Sequence, residues 1–104
     1  MTTLSQKTVP DHGPALSNSE ITKLKAELGG AWELRDGTLY RHYGFNNFKE
    51  SKAFVDKVSA LAEEMNHHPD ITFSFKYADI VLYTHFRDGL TEADFVLAAK
   101  IDEL

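Results

Sequence analysis

Apolar positions change period several times along this chain, and each change marks an element. After the capping box Ser17-Asn18-Ser19-Glu20, Ile21, Leu24 and Leu28 fall on one helical face, and Gly29-Gly30 stops the run. Trp32 and Leu34 begin an alternating stretch, Asp36-Gly37 is a hairpin signal, and Thr38 to Phe45 returns as a second strand. Asn47-Phe48-Lys49-Glu50 reads as a second capping box. Behind it Phe54, Val58, Leu61, Ala62 and Met65 recur at helical spacing, which predicts a long helix ending near Asn66. Ile71, Phe73, Phe75 and Tyr77 alternate with Thr72, Ser74 and Lys76 as a third strand. Asp79 to His85 forms a fourth, apolar on both faces (Ile80 and Leu82; Val81 and Tyr83). Arg87-Asp88-Gly89 turns the chain. Thr91-Glu92-Ala93-Asp94 then caps a last helix carrying Phe95, Ala98 and Ile101, with Leu90 and Phe95 spaced as a hydrophobic staple.

The predicted order is αββαββα. Short hairpins make the strand pairs antiparallel, and amphipathic helices need one sheet face to cover. The expected class is α+β: a four-stranded antiparallel sheet with helices packed on one face and the other face open to a ligand or partner. Residues 1–15 carry Pro10, Gly13 and Pro14 without periodicity and read as a flexible N-terminal tail. Residues 16–104 read as a single domain, since a chain of 104 residues supports one core and not two.

Composition narrows the function classes. With 42% hydrophobic and 26% charged residues, the chain has the make-up of an ordinary globular protein. Its formal net charge of −5 argues against nucleic acid as a direct ligand, because phosphate binding needs clustered Lys and Arg. Cysteine is absent, which removes disulfides, thiolate nucleophiles and Cys-ligated zinc. No apolar run approaches a membrane span, and the stretch from Met1 to Lys7 lacks the apolar core of a signal peptide. No membrane association and a cytoplasmic location are expected.

The candidate chemistry is concentrated in histidine. Three of the five histidines lie in Asn66-His67-His68-Pro69 and Thr84-His85, at a helix end and a strand end. Imidazole both donates and accepts protons near neutral pH, so such a group suggests proton transfer or a metal site. The i, i+4 spacing lets Glu63 reach and orient His67 if the helix continues that far. Pro69 forces His68 out of the α region, so the adjacent rings can face one cavity from different angles. His85 can lean over the sheet edge. Asp94 occupies the capping-box position and is free to serve a second role as well. His12, in the tail, and His42, in mid-strand, have no evident partner. A His-His dipeptide is not the i, i+4 pair that converges on one metal, so acid–base work without a metal is the expectation.

These residues also resemble a known family. Glu63-Glu64-Met65-Asn66-His67-His68-Pro69-Asp70, Thr84-His85 and Gly89-Leu90-Thr91-Glu92-Ala93-Asp94 together look like the signature of the pterin-4a-carbinolamine dehydratases. The resemblance runs from about Glu20 to the C-terminus and includes Trp32 and Phe48-Lys49-Glu50-Ser51. It implies an αββαββα fold in a homodimer or homotetramer, with sheets joined edge to edge in the dimer. The implied substrate is 4a-hydroxytetrahydropterin, the spent cofactor of aromatic amino acid hydroxylases, which places such a hydroxylase in the pathway. No metal or organic cofactor is implied. Active-site roles carry over onto His67, His68 and His85, with Glu63, Pro69 and Asp94 in support. Two departures show: Ile71 stands where many members have Trp, and Phe75-Lys76 where Tyr-Asn is common. Some relatives of this fold are partner-protein cofactors or assembly factors, so a non-catalytic binding module is the alternative.

Overall fold

Helices begin where a side chain can replace the missing backbone partner. The computed structural model describes residues 3–9 and 11–104. Its first helix, α1 (Asn18–Leu28), is closed by the reciprocal Ser17–Glu20 box. Hydrogen bonds from Ser17, the backbone one foremost, hold the Glu20 carboxyl below the usual glutamate range. In α2 (Phe48–Met65) the Asn47 side chain accepts from the Glu50 amide at 2.9 Å. Glu50 reaches one residue further back than a capping box would, to the Asn46 amide at 3.1 Å. The third helix, α3 (Glu92–Ile101), starts at a complete Thr91–Asp94 box.

Strands β1 (Glu33–Arg35), β2 (Thr38–Gly44), β3 (Asp70–Phe73) and β4 (Tyr77–Leu82) form one sheet in the order β1-β2-β4-β3, with every neighbour antiparallel. The α+β class and αββαββα order are as the periodicity predicts. Register puts Leu39 opposite Leu82 and Ile71 opposite Ile80. Leu39, Ala78, Ile80 and Leu82 are fully buried on this face; α2 packs against it, and Phe95, Val96 and Ile101 of α3 share one core cluster with Leu39, Ile80 and Leu82. Tyr40, His42, Tyr77, Asp79 and Val81 alternate with them and stay half-buried or exposed on the other face. No helix among the described residues is long and apolar enough to cross a membrane.

The third and fourth strands are bounded differently from the sequence expectation, with Tyr77 opening β4 where it was expected in the third strand. The ladder pairs Phe73 with Ala78, so β3 ends at Phe73 and Ser74-Phe75-Lys76 is the hairpin turn, closed by the Ser74 amide on the Tyr77 carbonyl at 2.9 Å. Alternation ran on through the turn because Phe75 is apolar, yet Phe75 is 57% exposed. Similarly, β4 ends at Leu82. Thr84 bridges to Gly89 and His85–Arg87 is a 3-10 turn, so His85 sits on the turn after the strand and not on the strand itself.

The region without periodicity follows the body of the protein. A 3-10 turn, Leu4–Gln6, packs on α3 with Leu4 buried. The Lys100 ammonium donates to the Ser5 carbonyl, and the Ser5 hydroxyl donates to Glu103. This segment and α1 cover α3 on top of what the sheet covers. Consequently Val96 and Leu97 are buried along with the expected Phe95, Ala98 and Ile101. Trp32 is a core residue: it is 1% exposed, and its indole N–H donates to Asp102 at 2.9 Å. Arg41 meets the same carboxylate at 2.5 Å, so this hub ties the end of α3 to β2.

Candidate functional site

A left-handed residue decides where the first histidine goes. Asn66, at φ 52, caps the C-terminus of α2, and the His67 amide donates back to the Ala62 carbonyl at 3.0 Å. The chain therefore leaves the helix axis at Asn66 and turns His67 inward, to 5% exposure. An i, i+4 contact needs an unbroken helix, and this one stops first. The expected Glu63–His67 pair is corrected: Glu63 instead meets His68, Nε2 to Oε2 at 2.5 Å, on the exposed side.

Asp94 is the partner His67 finds. The carboxylate is fully buried, and His67 Nε2 lies 2.5 Å from its Oδ1. Its Oδ2 accepts from the Thr84 hydroxyl and from the Thr91 amide, each at 2.9 Å. With the Thr84 proton directed to Asp94, the Thr91 hydroxyl donates to Thr84 Oγ1 at 2.9 Å. A carboxylate only accepts, so the Nε2 of His67 carries a proton, and in its neutral form the ring keeps its lone pair on Nδ1. Asp94 thus both caps α3 and fixes the tautomer of His67. Charge-assisted bonds of this kind are roughly twice as strong as neutral ones.

His67, His68 and His85 line one cavity of about 300 Å³. Pro69 ends the His-His run but does not line the cavity, and Glu63 and Asp94 act behind the rings they touch. His85 is exposed and meets the Tyr83 ring edge-on at 5.1 Å between centroids. The Tyr83 hydroxyl donates to Asp88 at 3.0 Å, and that bond is the main reason its pKa lies above the ordinary phenol value. The phenol therefore remains an O–H group on the cavity wall at neutral pH. Ile71 and Phe75-Lys76, the departures from the family pattern, lie in β3 and its turn and do not line the cavity.

Sequence reasoning missed three wall residues. Tyr83 read as a strand apolar, Phe86 fell between the strand and the turn with no role assigned, and His12 lay in a stretch with no pattern to place it. His42 pairs with Asp79 at 2.6 Å on the open sheet face and stacks on Tyr77, away from the cavity. Among the described residues, no group of three or more His, Cys, Asp or Glu is arranged to hold a metal ion.

Fold and cavity together define a small α+β protein whose pocket holds a carboxylate-oriented imidazole beside three further histidines. A family model described as pterin 4 alpha carbinolamine dehydratase matches residues 14–104, and the chain belongs to that family. A Rubrobacter xylanophilus protein is 48% identical over 100% of both chains, and one from Rickettsia bellii is 45% identical over 95% of this chain and 90% of its own. Both are named provisionally as pterin-4-alpha-carbinolamine dehydratases. Among solved structures, a Brucella melitensis protein described as a transcriptional coactivator/pterin dehydratase superposes with a TM-score of 0.78 at 26% identity, covering 86% of this chain and 96% of that one. A pterin dehydratase-like protein identified as a RuBisCO assembly factor in the alpha-carboxysome superposes at 0.61 with 29% identity, covering 73% of this chain and 90% of that one.

Proposed function

We propose that this protein is a hydro-lyase that removes water from 4a-hydroxytetrahydropterin. The product is the quinonoid dihydropterin, so the reaction feeds the recycling of the tetrahydropterin cofactor used by an aromatic amino acid hydroxylase. The observation that carries this reading is the buried His67–Asp94 pair in a cavity shared with His68 and His85. Dehydration breaks the C4a–O bond, forms the N5=C4a double bond and releases the N5 proton. Nδ1 of His67 takes that proton, because Asp94 holds the other nitrogen protonated. His85, on the exposed turn, protonates the departing hydroxide as it becomes water. His68, held by Glu63, binds the pterin and supports the proton transfer.

No metal or organic cofactor enters these steps, and the pterin is the substrate. A hydroxyl on a nitrogen-bearing carbon already leaves slowly unaided, so general acid–base groups, each giving about 10²–10⁴-fold, suffice. A volume of about 300 Å³ is at the lower end for small-molecule sites and suits a bicyclic ring. The reading includes a cytoplasmic setting and a homodimer or homotetramer, since the outer edges of β1 and β3 have no neighbouring strand among the described residues.

A second reading, a binding or assembly module, is favoured by the names of the two structural neighbours. The test generates 4a-hydroxytetrahydropterin in situ with a purified hydroxylase and follows its decay with and without this protein. Wild type should accelerate the decay. His67→Ala and His85→Ala should each lower kcat by roughly 10²-fold or more, with unchanged circular dichroism. Well-folded variants that keep wild-type kcat would transfer the protein to the binding class.

A further inference from the structure

We infer that the N-terminal segment is part of the pterin pocket, with Asp11–Gly13 strapped across its mouth and His12 positioning the bound ring through Nδ1. The inference rests on the proposed pterin site. Asp11, His12 and Gly13 have φ of 60°, 63° and 81°; Asp and His tolerate this left-handed region better than most side chains, but as single residues and not as a run of three. Such a conformation persists where the surroundings over-determine it. Here the latches reach both walls of the cavity. On the α2 side, His12 Nε2 lies 2.9 Å from the Asn66 carbonyl. On the β4 side, Arg87 Nε donates to the Gly13 carbonyl at 3.1 Å, and its Nη2 lies 3.6 Å from the Asp11 carboxylate. Between them the His12 ring meets His67 and Phe86 edge-on, at 4.8 and 5.1 Å between centroids.

The hydrogen-bond inventory then assigns the ring. A carbonyl accepts only, so Nε2 of His12 carries a proton, and in the neutral form of the ring Nδ1 is an acceptor. No partner for that Nδ1 exists among the described residues, and the ring lines the same cavity as His67, His68 and His85. A reduced pterin presents donors along its pyrimidine edge, N3–H and the 2-amino group. Nδ1 of His12 suits that edge, leaving the acid–base steps to His67 and His85. His12 is thus a positioning residue, and its removal should weaken binding more than turnover.

Three full-length variants test this against the same dehydration assay, with calorimetric titration of an oxidised, non-reacting pterin. His12→Ala should raise KM and the pterin Kd roughly tenfold, the weight of one neutral hydrogen bond, with kcat nearly unchanged. His12→Gln retains an N–H where Nε2 stood, preserving the latch on Asn66, but offers no acceptor in place of Nδ1. It should bind pterin as poorly as His12→Ala. Arg87→Met, which releases the other end of the strap, should raise KM in the same direction. Full recovery by His12→Gln would reduce His12 to a latch and overturn the Nδ1 contact. An unchanged or lowered KM in His12→Ala, with active wild type, would overturn the strap's role and leave the dehydratase reading standing. A wild-type protein that neither binds pterin nor accelerates dehydration would remove both.

Discussion

Asp94→Asn separates the two roles of one side chain. The native carboxylate is fully buried and meets three donors: His67 Nε2 at Oδ1, and the Thr84 hydroxyl and Thr91 amide at Oδ2. A carboxamide has one oxygen, so it cannot serve both sides. If the oxygen stays with Thr84 and Thr91, the NH₂ faces His67 Nε2, which must then become an acceptor. The ring switches to its other tautomer, and the Nδ1 lone pair disappears. If the oxygen turns to His67, the Thr91 amide is stranded in the interior at a cost of about 1–3 kcal/mol. The first arrangement costs less, so stability should fall modestly while kcat falls by roughly 10²–10⁴-fold, the contribution of a general base. Asp94→Ala strands the His67 N–H and the Thr91 amide together, at about 1–3 kcal/mol for each buried donor, against about 1 kcal/mol for a lost cap alone. Urea unfolding gives the stabilities, dehydration kinetics give kcat, and ¹⁵N shifts of His67 report its tautomer. Near wild-type kcat in Asp94→Asn, with the tautomer unchanged, would refute the reasoning.

Three further outcomes are expected. His68→Ala should chiefly raise KM, because the ring is exposed and, among the described residues, is held by Glu63 alone; a fall in kcat at constant KM would move it into the proton-transfer pair. Dehydration should survive treatment with a strong chelator, and a loss that added zinc restores would replace the acid–base scheme with metal-bound water. Light scattering at micromolar concentration should give a multiple of the 11.7 kDa chain mass, whereas a stable monomer would contradict the homo-oligomer.

What the sequence disclosed depended on how local the signal was. Ser17–Glu20 and Thr91–Asp94 are local devices, and each box closes as its spacing predicts. The α2 stripe was legible for the same reason: Val58 and Ala62 are buried, and Phe54, Leu61 and Met65 pack around that core. Strand ends were less legible, because Phe75 and Tyr83 continue an apolar alternation that the ladder does not follow. The partner of His67 was illegible. One left-handed residue, Asn66, redirects the ring from Glu63, four residues away, to Asp94 on another helix. Nothing local told the Asp94 that caps a helix from one that also orients a histidine. His12 was hidden more completely, since backbone conformation and three latches to distant residues place it, and none of these has a periodic signature.

The same geometry bears on the choice between enzyme and binding module. Burying a carboxylate against an imidazole carries a desolvation penalty, and replacing such a buried pair with well-packed apolar residues is often neutral or stabilising. A module that only docks a partner could fill the space beneath the cavity with Leu or Phe, as the rest of the α3 interior is filled by Phe95, Val96 and Leu97. Here Asp94 instead satisfies every donor around it, and no described buried side-chain polar atom lacks a partner. The arrangement is stable because it is complete, and its output is one oriented imidazole nitrogen on the wall of a pocket. Docking does not need that nitrogen. Proton transfer does.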